Sequence, residues 1–181
     1  MLKVISSIIE LKDPYIVRHQ IRVKELAVAI SRKLRLDERR IRIMKVAALL
    51  HDIGKLAIPN GLLYKPGSLS EHELNIIRNH VVFGSRLIRK ENEFLADIIL
   101  QHHEKLDGSG YPKGIGREEI LLESRILTVA DVVEAICSHR PYREALGIDK
   151  AFEEIRKGKG KLYDGKVVDI CLELFSNDGS R

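Results

Sequence analysis

Apolar residues recur at helical spacing along almost the whole chain, and this periodicity excludes most folds at once. From Tyr15 to Leu34, the residues Val17, Ile21, Leu26, Val28, Ile30 and Leu34 recur at near-helical spacing. Asp37 is placed to cap a second helix through Ile41, Met44, Val46 and Leu49, ending near His51. Ser70 and Glu73 make an S-x-x-E capping box that opens a third, running to about Arg89. Further helices are expected over 92–103 and 121–138, and Asp149 and Asp164 are placed to cap two more. Residues 54–69 and 105–117 are rich in Gly and Pro and read as loops. No segment alternates with period two between hairpin turns. The expectation is an all-α chain, a single domain of about seven helices.

A length of 181 residues suits one domain with one core. With no Trp and only 5% aromatics, that core must be filled by Leu, Ile, Val and Ala. No uninterrupted apolar run exceeds five residues, as at 46–50, far short of the roughly 18 residues needed to cross a bilayer. The opening MLKVISSIIELKD shows no clear cleavage site. Cys137 and Cys171 lie far apart without a CxxC, so a reducing cytoplasm is the expected location, with no membrane partner. The formal net charge of +5 suits an anionic ligand, small or polymeric. However, the basic runs at 32–35, 39–45 and 157–161 alternate with apolar or acidic residues and lack any RNA-binding motif or zinc-finger spacing. They read as solvated helix faces and a loop, and no nucleic-acid polymer is expected.

The histidines are more informative. His72 lies in a first helical turn between two glutamates, and His139 follows a helix end, so both read as surface residues. His19, His51, His80, His102 and His103 lie in or at the ends of expected helices. Taken singly, each reads as a hydrogen-bonded structural histidine, and Asp131 in TVADVVEAI as a buried acid bonded to a backbone amide. Two adjacent pairs change this. His51-Asp52 and His102-His103 each close a helix, where successive side chains diverge by about 100° and one pair can reach two ions. Five His and two Asp exceed what a single ion takes, and they suit two borderline or moderately hard ions such as Fe, Mn or Zn.

The combination RHQIRV (18–23), LLHDIGKLAIP (49–59), His80, HHEKLDGSGYP (102–112), RILTVADVVEAI (125–136) and RPYR (140–143) resembles HD-GYP domains. These belong to the HD superfamily of metal-dependent phosphohydrolases, whose best-known HD-GYP members hydrolyse cyclic di-GMP in bacteria. The resemblance implies an HD-type helical domain over 13–175 with a metal site in its helical core, a lead-in at 1–12 and a tail at 176–181. It places one ion on His19, His51, Asp52 and Asp131, and a second on His80, His102 and His103 with Asp52 bridging. Fe or Mn are the ions most expected, with Zn, Ni, Mg or Co also suitable. Some members hold a third ion through a Glu one turn before the first His. Here Tyr15 takes that place, so a dinuclear site is expected.

The resemblance also gives catalytic roles to His51, Asp52 and Lys55, and places Lys55, Arg140 and Arg143 near substrate phosphates. The competing reading is a surface ion pair for each Arg and a helix C-terminal charge for Lys55. The Gly110-Tyr111-Pro112 loop is implicated either in substrate contact, through Tyr111, or in docking a protein partner. Asn60 and Leu121 depart from residues common in the family, but neither is a ligand position. The implied reaction is hydrolysis of cyclic di-GMP to pGpG, and onward to GMP, by a water activated between two ions about 3.5–4 Å apart. Two alternatives stand: an HD-fold hydrolase of another cyclic dinucleotide or nucleotide, and a catalytically weak nucleotide-sensing or interaction module. Apolar residues in 2–11 suit a homodimer contact.

Overall fold

Side-chain caps at Asp37, Ser70, Asn92 and Asp164 set where four of the helices begin. The computed structural model describes residues 14–138 and 145–176. After α1 (Pro14–Lys33), the Asp37 carboxylate accepts a hydrogen bond from the Arg40 amide at 2.9 Å and opens α2 (Glu38–Leu50). The chain then tightens into a 3-10 turn (Ile53–Ala57) and a single-turn helix α3 (Asn60–Leu63). The expected loop at 54–69 therefore carries short helical pieces, because Lys55 N donates to Asp52 O and Ile58 N to Lys55 O in an i→i+3 pattern. Ser70 and Glu73 form the expected reciprocal capping box on α4 (Glu71–Arg78).

The helix expected to run on to Arg89 divides at Asn79, and α5 is His80–Arg89. The Asn79 amide still bonds back to Asn75 and Ile76, while Val82 N and Phe83 N start again from the Asn79 carbonyl. The break falls where α5 meets the 3-10 turn, and there the backbones almost touch. A Cβ on Gly54 would lie 1.8 Å from the His80 carbonyl oxygen, and one on Gly84 would lie 3.3 Å from Gly54 N. Asn92 then caps α6 (Glu93–Gln101), followed by α7 (Leu122–Cys137), α8 (Ile148–Lys157) and α9 (Gly165–Ser176). Asp164 caps α9 as expected, accepting from Lys166 N and Val167 N. Asp149 does not cap α8. Gly147, at φ 87°, turns the chain into that helix, and Asp149 sits inside the first turn where its charge complements the helix dipole.

All seven expected helical segments are thus present, with one divided. Helix α7 lies at the centre: it packs on α1, α8 and α9 and touches α2 and α6. Helix α5 packs on α6 and the 3-10 turn, and α1 on α2. The core is one cluster, drawn from Ile30, Met44, Ile99, Leu127, Ile155 and Val168 among others. Among the described residues there is no strand, only two isolated bridges, and no helix is long and apolar enough to cross a membrane. Arg140 and Arg143, the 1–12 lead-in with its dimer contact, and most of the 176–181 tail lie outside the described residues.

The contact at Gly54 predicts a sharp asymmetry. Gly54→Ala is expected to destabilise the protein by roughly 3 kcal/mol or more, because its neighbour is backbone and cannot give way. Gly61→Ala, with nothing within 4 Å, is expected to be close to neutral. Thermal unfolding of the two variants checks both.

Candidate metal centre

The expected ligands come from five helices and one turn. His19 lies within α1, His51 follows the end of α2, and Asp52 precedes the 3-10 turn. His80 opens α5, His102 and His103 follow α6, and Asp131 lies within α7. The Thr128 hydroxyl donates to the His102 carbonyl at 2.7 Å, fastening the end of α6 to α7.

Three of the imidazoles are built alike. Nδ1 of His51, His80 and His102 lies 2.8, 2.8 and 2.7 Å from the carbonyl three residues earlier, at Ala48, Ile77 and Ile99. A carbonyl can only accept, so Nδ1 carries the proton and Nε2 presents a lone pair. All three Nε2 atoms are buried with no hydrogen-bond partner. Buried polar atoms without partners are rare. Here the three rings are neighbours, with centroids 5.1 Å apart for His51–His102 and 5.6 Å for His80–His102. Together with two carboxylates they form a nitrogen and oxygen donor set suited to a borderline divalent ion.

The donors fall into overlapping groups whose ligand atoms lie within 4.8 Å of one another: His80, His102 and His103; His19, His51 and Asp52; and His51, His102 and Asp131. Asp52 faces two of them. Its Oδ2 is 3.5 Å from His51 Nε2, and its Oδ1 is 3.3 Å from His80 Nε2. Asp131 Oδ1 lies 3.1 Å from His19 Nε2 and 3.8 Å from His51 Nε2. Lys55 Nζ lies 2.6 Å from Asp52 Oδ2, so the cation expected to meet phosphate sits against a carboxylate of the candidate donor set.

Electrostatics favour this arrangement. Burial opposes the charge of Asp52, yet Lys55, His51 and His80 hold its carboxyl well below the usual range. Burial likewise opposes Asp131, and His19 and His51 outweigh it. Burial lowers His80 and His102 below the usual imidazole value, and it takes His103 down to about 3, which keeps all three neutral and able to ligate at neutral pH. His19 is the exception. Burial pulls it down, but the carboxylates of Asp131 and Glu134 raise it to about 9.

Some neighbours of the centre were not singled out in the sequence. The Glu134 carboxylate bonds His19 Nδ1 and accepts from Arg22 Nε at 2.5 Å. The signal was present as helical i,i+3 spacing: Arg22 follows His19, and Glu134 follows Asp131, by three residues each. Tyr111 is placed beside the centre. Its ring centroid is 4.8 Å from that of His103, with the Arg78 guanidinium 5.6 Å from the Tyr111 ring centroid. The loop folds this tightly because Gly110 has no side chain: a Cβ there would lie 2.4 Å from Glu104 Cα. Glu104 Oε1 accepts from Lys113 N at 2.7 Å and closes the loop.

The HD domain family profile matches residues 3–167. The chain belongs to the HD domain family. As an HD domain it is 44% identical over 155 residues to the cyclic di-GMP phosphodiesterase response regulator RpfG of Xanthomonas campestris pv. campestris, covering 83% of this chain and 41% of that protein. It is 42% identical over 148 residues to the 3'3'-cGAMP-specific phosphodiesterase 3 of Vibrio cholerae, covering 81% of this chain and 32% of that one. The chain thus spans less than half the length of these curated relatives. In fold it is similar to Bd1817, an HDG"Y"P protein from Bdellovibrio bacteriovorus. The TM-score is 0.73 at 19% identity, over 89% of this chain and 52% of that one. The HD-GYP resemblance read from the motifs holds.

An ion that binds only the folded centre must stabilise the fold. Mn(II) or Fe(II) at a hundredfold over its Kd is expected to add about 2.7 kcal/mol and raise Tm by about 5–10 °C, reversed by a chelator. His102→Ala is expected to remove most of that shift in a thermal melt.

Proposed function

We propose that this HD domain is a divalent-metal phosphodiesterase that hydrolyses cyclic di-GMP to linear pGpG and onward to GMP. The observation that carries this reading is the set of buried, unpartnered Nε2 atoms on His51, His80 and His102, with Asp52 facing two ligand groups. One ion would be held by His19, His51, Asp52 and Asp131, and the other by His80, His102 and His103, with Asp52 shared. The donor set favours Fe or Mn. When bound, such ions polarise phosphoryl oxygens and lower the pKa of water, which is the chemistry a phosphodiester resists most.

The chain's own residues do the rest. His51 and Asp52 present donors from one corner, where the 3-10 turn that follows α2 packs on α5. Lys55, already beside an anionic oxygen of Asp52, is placed to offset charge that develops on the phosphoryl oxygens. Tyr111, packed on His103, lines the approach to the centre, which supports substrate contact as the loop's role. Arg140 and Arg143 are assigned to the substrate phosphates on the strength of the RPYR motif. In hydrolysis, the oxygen of water forms the new bond to phosphorus while the bond to the 3′ oxygen breaks. That oxygen takes up a proton, and the product keeps a 5′ phosphate. The two free cysteines, Cys137 and Cys171, support a reducing, cytoplasmic setting.

A second reading keeps the chemistry and changes one of the two bases recognised. The relative named as specific for 3'3'-cGAMP shares 42% identity over 148 residues, so a hybrid cyclic dinucleotide is a substrate to test alongside. Protein loaded anaerobically with Fe(II) or Mn(II) should convert cyclic di-GMP to pGpG or GMP by product chromatography. Asp52→Ala is expected to lower turnover by at least about a hundredfold, as loss of a second-row or direct metal contact does. Conversion of 3'3'-cGAMP alone would select the second reading, and binding of either without products would point to a sensor.

A further inference from the structure

His19 differs from the other buried histidines in what its Nδ1 meets. His51, His80 and His102 each give Nδ1 to a carbonyl of their own helix. His19 instead meets a carboxylate, Glu134, from a different helix 115 residues away. Its Nε2 faces Asp131 Oδ1 at 3.1 Å. Asp131 and Glu134 lie on one face of α7, so a single helix holds both nitrogens of the ring.

Glu134 is itself held on every side. It is 5% exposed, with Oε2 on His19 and Oε1 accepting from both Arg22 Nε and the Ser138 hydroxyl. Arg22 Nη2 donates in turn to Ser138 Oγ at 2.7 Å. A buried carboxylate with both oxygens satisfied is rigid, and a carboxylate on the far nitrogen of a ligand histidine fixes its tautomer and raises its basicity.

We propose that Glu134 is a positioning residue for the metal centre: it keeps the proton of His19 on Nδ1, aims Nε2 at the ion, and so sets the affinity of the group formed by His19, His51, Asp52 and Asp131. This rests on the metal-centre reading above. Glu134 lies outside the three donor groups of the centre. The simpler role, a buried partner for Arg22, predicts a stability effect without a metal effect, and the two separate experimentally.

The probe is Mn(II) alone, titrated by calorimetry into metal-free protein, with Co(II) absorption bands as a second readout. Glu134→Gln keeps the shape and removes the charge. It is expected to weaken one class of Mn(II) sites roughly 10–100-fold and to shift the Co(II) bands. Arg22→Gln removes the ion pair and leaves the carboxylate on His19, so Mn(II) affinity should stay within about threefold although Tm falls. Should Glu134→Gln not fold, Glu134→Asp draws the carboxylate back from His19 and is expected to weaken the same sites several-fold. Unchanged affinity and Co(II) bands in the folded Glu134 variant would overturn the proposal. So would equal loss of affinity in Arg22→Gln. A wild-type protein that takes up no Mn(II) or Co(II) would overturn the metal-centre reading itself.

Discussion

Two carboxylates inside an apolar core set the terms for the rest of this structure. Asp52 is 4% exposed and Asp131 9% exposed. A charge taken out of water at that depth is strongly unfavourable unless cations or hydrogen-bond donors surround it. Lys55, His51 and His80 surround Asp52, while His19 and His51 face Asp131. The same crowding suits the site to cations, because imidazoles with bare Nε2 atoms add lone pairs beside two carboxylates. Since the donors come from α1, α2, α5, α6, α7 and the turn after α2, the centre exists only once the bundle has assembled, and an ion held there would be linked to folding.

Close backbone approach is what makes such a centre fit. Gly54 lets the turn after α2 lie on the first turn of α5, and that contact brings Asp52 within 3.3 Å of His80. Gly110 does the same for the second loop, bringing Tyr111 back over His103. Neither glycine is needed there for an unusual φ, since both lie outside the positive-φ set. They matter because a neighbouring main chain occupies the space of a Cβ, and main chain cannot move aside cheaply.

The helix starts at Asp37, Ser70 and Asp164 were readable because each cap is a hydrogen bond between residues two or three apart. The residues that gather at the candidate centre were readable because His51-Asp52 and His102-His103 are adjacent pairs at helix ends, and because the surrounding motifs match a known family over most of the chain. Asp149 shows the limit of local reasoning. Its composition suited a cap, but Gly147 two residues earlier had the backbone freedom to start the helix first.

By itself, then, the sequence determined the all-α class, the order of the helices and the choice of candidate ligand side chains, since these depend on short-range hydrogen bonds, apolar periodicity and motif chemistry. Tertiary structure alone decided the rest. The division of the helix at Asn79 depends on where α5 meets the turn at Gly54. The orientation of His19 depends on Glu134, 115 residues away, and the cover on Tyr111 depends on Arg78. Such pairings are set by how helices pack in three dimensions, and neither composition nor spacing along the chain encodes which distant side chain meets which ring nitrogen.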